Sequence, residues 1–88
     1  MNNGYSGEIV IRNSTSDIME VFIEPWGDKY QLRKKKSLIV KGEGGEGVFE
    51  IAMNDQSVSI HGWAGSTVSV FTEDGKDITI GSSYMPAF

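Results

Sequence analysis

Hydrophobic and polar residues alternate with a period of two through much of this chain. In MEVFIE, Met19, Val21 and Ile23 fall on one side and Glu20, Phe22 and Glu24 on the other. SVSIH sets Val58 and Ile60 against Ser57, Ser59 and His61, TVSVFT aligns Val68 with Val70, and DITI aligns Ile78 with Ile80. Successive side chains of an extended strand point to opposite faces, so this pattern predicts strands with one buried face. EIVIR (8–12) and SLIV (37–40) are continuous apolar runs rich in β-branched residues and read as more fully covered strands. No window sustains the i, i+3, i+4, i+7 spacing of an amphipathic helix.

Turn chemistry separates these runs at short intervals. RNSTSD (12–17) and NDQ (54–56) are polar loops, KGEGGEG (41–47) reads as a flexible glycine loop, and EDGK (73–76) carries the Asp-Gly pair that predicts a hairpin between VSVF and ITI. The expected fold is all-β: a single antiparallel β-sandwich or flattened barrel of seven to eight short strands. Its core should include Ile9, Ile11, Val21, Ile23, Ile51, Val58, Ile60, Val68, Val70 and Ile78. One domain spans 1–88, with 1–7 and 82–88 read as flexible ends. The terminal YMPAF is apolar enough to dock on the body or on a neighbour.

An internal echo runs through the pattern. VFIEPWGDKYQL, from Val21, lies over VSIHGWAGSTVSV, from Val58, matching Val21 to Val58, Ile23 to Ile60 and Trp26 to Trp63. In both copies an alternating strand enters a corner that carries Trp. Pro25 lacks an N–H and can end strand pairing, and Gly27 permits the reversal that follows.

Charge changes this picture in one place. The net charge is −4. Lys29, Arg33, Lys34, Lys35, Lys36 and Lys41 fall in a stretch without an acid, while the rest of the chain is strongly acidic. An acidic body argues against general nucleic-acid binding, because phosphates would be repelled over most of the surface. Arg33, Lys34, Lys35 and Lys36 are either a solvated turn that protects an edge or a contact for an anion or acidic partner. With no cysteine there is neither a disulfide framework nor a thiolate site. No apolar run reaches membrane-spanning length, and MNNGYSGE has neither the basic nor the apolar region of a signal peptide. The expected location is therefore cytoplasmic, with no membrane partner, and there the NST sequon at Asn13 has no role.

The chemistry-bearing residues are few. Gly42, Gly44 and Gly47 satisfy G-x-G-x-x-G, but Glu43 and Glu46 lie inside the motif and a strand-like run follows it, so no dinucleotide is expected. His61 is the one histidine, too little for the usual zinc sets, and no metal or other cofactor is expected. Ser66 would need His61 as its base and lacks a nucleophile elbow, so no catalytic residue is assigned and the protein is read as a non-enzyme. Trp26, Tyr30, Trp63 and His61, with Glu24 and Asp28, are the candidate partner or ligand surface. The aromatic members could equally be lids on a thin core.

IEPWGDKYQL, followed by IHGWAGSTVSVF, resembles a group of small, uncharacterised bacterial all-β proteins. The matching residues are Asn13, Thr15, Glu24, Pro25, Trp26, Gly27, Tyr30 and Leu32, then Gly62, Trp63, Gly65 and Ser66. The resemblance covers roughly residues 8 to 78 and implies a cupredoxin-like or immunoglobulin-like sandwich without copper ligands. RKKK departs from that group, which tends to a Pro-Gly turn there. The resemblance supplies no activity. The functional expectation is a non-enzymatic protein-interaction module whose partner is a protein or a second copy bound through an edge strand. The alternatives are a small-ligand or carbohydrate-binding domain using Trp faces, and an inhibitor or immunity-type protein.

Overall fold

A computed structural model describes residues 5–80 and contains seven strands: β1 (Tyr5–Arg12), β2 (Met19–Glu24), β3 (Asp28–Leu32), β4 (Ser37–Gly44), β5 (Glu50–Met53), β6 (Ser57–His61) and β7 (Thr67–Thr72). They form a three-stranded sheet, β1-β4-β7, and a four-stranded sheet, β3-β2-β6-β5. The sheets enclose one core and are not closed into a barrel, so the architecture is the expected all-β sandwich. Tyr5, Ser6 and Gly7 belong to β1, whereas 82–88, including YMPAF, lies outside the described residues.

The alternation predicts the buried face well. Val21, Ile23, Val58, Ile60, Val68 and Val70 are buried, and Ile9, Ile11 and Ile78 pack against them. Tyr30, Leu32, Leu38 and Val40 complete the core. Each such aliphatic side chain contributes about 1.5–3 kcal/mol on burial. Ile51 is a correction: it is 48% exposed. By register it stands opposite Ile60, on the core side of its sheet, but β5 is the fourth strand of a sheet facing only three. The narrower sheet leaves it uncovered.

Four pairings are antiparallel, and β2 runs parallel to β6. The parallel register sets Val21 beside Val58 and Ile23 beside Ile60, the same correspondence as the internal echo. The two similar segments are thus neighbours, and their Trp corners leave the same end of the sheet. They then diverge, since β3 pairs back onto β2 while β7 joins the opposite sheet.

Two local expectations are corrected. The glycine stretch is not a flexible loop throughout, because β4 continues to Gly44. Gly42 is buried there: a Cβ would lie 2.7 Å from the Phe49 ring and 2.8 Å from the Trp63 ring. The missing side chain makes room for those rings. The Asp-Gly turn does reverse the chain, but ITI forms no strand. Phe71 and Asp77 make an isolated bridge, Ile78 N–H donates to Val70 O, and the Thr79 hydroxyl accepts from Val70 N–H at 2.9 Å. A side chain completes what a strand would have supplied. Beyond it, Ile80 N–H crosses to the Tyr30 hydroxyl at 2.7 Å, tying the segment to the other sheet.

Candidate functional site

The two corners are built alike and packed differently. β2 ends at a cis Glu24–Pro25 peptide, and Gly27 N–H donates to Ile23 O with Gly27 at φ +75°. After β6, the Ser66 hydroxyl accepts Trp63 N–H, Ser66 N–H donates to Trp63 O, and Gly65 takes φ +82°. Both corners close with a glycine in the left-handed region, which a side chain would strain.

Trp63 is buried, donates its indole N–H to Gly44 O at 2.6 Å and meets Phe49 edge-on at 5.0 Å. It plugs the end of the core in a cradle of Gly42 and Gly47. Trp26 is half-buried against the core. Tyr30 is buried, with its hydroxyl on Ile80 N–H. Burial holds the Tyr30 phenol above the usual tyrosine pKa; the Ile80 bond opposes this, and Asp28 and Asp77 reinforce it.

The six candidate corner residues therefore do not share one surface. Glu24 and His61 stand side by side in the parallel register, and Glu50 follows opposite His61 in the antiparallel one. This row lies on the outer face of the four-stranded sheet. Asp28 pairs with Ile23, on the other side of the sheet. Tyr30 and Trp63 present no open ring face. Among the described residues no three His, Asp or Glu side chains are grouped to hold a metal ion.

Arg33, Lys34, Lys35 and Lys36 are exposed in the β3–β4 turn, with Lys35 at φ +64°. Lys36 lies 3.9 Å from Glu73, Lys29 lies 3.4 Å from Glu20 and Lys41 lies 4.0 Å from Glu8. Half of the basic stretch thus faces acids of the same molecule. Arg33 and Lys36 also line an open cleft of about 440 Å³ with Leu32, Ile78, Glu73 and Asp74, a mixed-charge lining with no single ligand preference.

One residue that sequence reasoning set aside anchors this end of the molecule. Asn13 is fully buried. Its amide donates to Asp17 O and Leu32 O, and its carbonyl accepts from the Thr15 N–H and hydroxyl. Its backbone N–H donates to Lys36 O, and its backbone carbonyl accepts from Lys35 N–H. The N-S-T triplet is a side-chain-closed turn that pins the basic loop. The signal available in sequence was an Asn two residues before a Thr, a pairing that favours such turns.

The two most exposed large apolar side chains among the described residues lie elsewhere. Val48, just before β5, is 78% exposed, and within β5 Met53 is 75% and Ile51 48% exposed. Asn54 N–H donates to Ser57 O, so with the β5–β6 register the backbone groups of Ala52 face β6 and those of Ile51 and Met53 face outward. Among the described residues no strand pairs with that outer edge. Two of the other edges are managed differently: residues 76–79 bond to the outer side of β7 at Val70 and Thr72, and β3 is short and carries Lys29. An edge with unpaired backbone groups and apolar side chains is a ready template for another strand.

Among the described residues no helix is long and apolar enough to cross a membrane. In comparisons with protein-family models, with curated proteins and with solved structures, nothing matches this chain.

Proposed function

We propose that the protein is a non-enzymatic interaction module that takes an extended segment of a protein partner onto the outer edge of β5. The observation that carries this reading is the combination of outward-facing backbone groups at Ile51 and Met53 with the exposed side chains of Val48, Ile51 and Met53. Main-chain hydrogen bonds would supply affinity, and alternate side chains against this ledge would supply preference. Glu46, Glu50 and Asp55 are exposed and flank the ledge in sequence, which favours a segment with basic residues around an apolar centre.

Two observations count against the competing classes. Tyr30 and Trp63 are buried, which removes two of the three ring faces a sugar or small-ligand platform would use. The Ser66 hydroxyl is fully buried and engaged with Trp63 N–H, which leaves a hydrolytic nucleophile without access.

Selection from a library of random peptides tests the reading. Peptides with alternating apolar residues and basic flanks should be recovered, and Met53→Lys should abolish their binding, since lysine on an edge opposes strand addition. Recovered peptides that bind Met53→Lys as well as the unaltered protein would overturn the proposal. Met53 is three-quarters exposed, so this substitution should move stability by no more than about 0.5 kcal/mol.

A further inference from the structure

A second edge carries a different kind of information. β1 is eight residues long, and among the described residues only β4 pairs with it. Asn13 N–H donates to Lys36 O, and the register continues through Ile11–Leu38 and Ile9–Val40. Antiparallel ladders alternate, so the backbone groups of Glu8, Val10 and Arg12 point away from β4. Their side chains share the outer face of the sheet: Glu8 and Arg12 are exposed, and Val10 is 62% exposed.

We infer that β1 pairs with β1 of a second copy, antiparallel and centred on Val10. In that register Val10 meets Val10 of the second copy, Glu8 meets its Arg12, and Arg12 meets its Glu8. All three are residues whose backbone groups face outward, so each pair exchanges two N–H···O bonds. A two-fold axis normal to the sheet keeps outer face with outer face, as an isologous contact requires. Two rows then run on across the axis. Phe71, Ile39 and Val10 are aligned across the three strands, and the dimer doubles this into one apolar band. Ser69, Lys41 and Glu8 are aligned likewise, and the row continues into Arg12, Ser37 and Glu73 of the second copy. Charges along it alternate in sign: Lys41, Glu8, Arg12, Glu73. A shift of two residues in register would replace both Glu–Arg pairs, so charge selects this alignment. The surface is separate from β5 and does not rest on the peptide-binding reading.

Sedimentation equilibrium over about 1 µM to 1 mM tests it. The unaltered chain, 9.7 kDa as a monomer, should approach twice that mass. Glu8→Arg alone and Arg12→Glu alone set like charges opposite each other twice, and each should weaken association roughly tenfold or more. Mixing the two variants should restore it, because each then meets its opposite, and the double variant should self-associate like the original. Val10→Pro removes an outward N–H that β4 does not use and should also leave a monomer. Circular dichroism checks that each variant keeps its strands. A monomeric unaltered chain at 1 mM, equal association of the single variants, or mixed variants that stay apart would each overturn the inference. So would a dimer lost in Met53→Lys and kept in Glu8→Arg, which would place the contact at β5.

Discussion

At the scale of single residues, buried polar groups matter more here than charge pairs. The ion pairs of Lys29 with Glu20, Lys36 with Glu73 and Lys41 with Glu8 join exposed side chains, and such pairs contribute between nothing and about 1 kcal/mol. Asn13 satisfies four partners with one side chain, and Asn13→Ala would leave the buried Leu32 carbonyl without its donor. The expected cost is about 1–3 kcal/mol, measured as a shift in urea midpoint at unchanged slope. Tyr30 makes a prediction in pH. Its folded pKa is raised, first by burial, so the unfolded chain loses this proton before the folded one. The contribution is fully present below about pH 10 and is lost as pH rises through the folded value. The stability difference between the protein and Tyr30→Phe should therefore be flat below about pH 10 and shrink above it. A difference that grew with pH would contradict the assignment.

At the scale of elements, the sequence pattern states which way a side chain points and not what lies opposite it. Val21, Ile23, Val58 and Ile60 alternate and are buried; Ile51 alternates in the same phase and is exposed. The difference is whether a strand of the other sheet reaches over, which depends on the width of both sheets. The glycine stretch illustrates the same limit. Its composition resembles a loop, but Gly42 is a strand residue made small by Phe49 and Trp63, and Trp63 is remote in sequence. The internal echo is legible in the sequence alone, and its correspondence of Val21 with Val58 and Ile23 with Ile60 coincides with the parallel register of β2 beside β6. Gly42→Ala should cost about 1–3 kcal/mol through overpacking. Near-ultraviolet circular dichroism should report the disturbed indole, and an unchanged spectrum and stability would contradict the cradle.

At the scale of the whole molecule, the sandwich formed by the described residues has four edges and treats each differently. Residues 76–79 bond to β7 at Val70 and Thr72, Lys29 and a short length guard β3, β1 carries a self-complementary charge pattern, and β5 presents an apolar ledge. The candidate corner residues were legible as strand ends, but the fold turns Tyr30 and Trp63 inward and leaves Glu24 with His61 outward. What the sequence could not display was the β5 edge, because its apolar residues are written in the phase of the core. The central claim is that a partner strand adds there. Hydrogen exchange of the protein bound to a selected peptide, read by NMR amide by amide, tests it directly. Strand addition at β5 predicts slowed exchange at the outward-facing N–H groups of Ile51 and Met53. Protection confined to other segments, with Ile51 and Met53 exchanging as in the free protein, would contradict it.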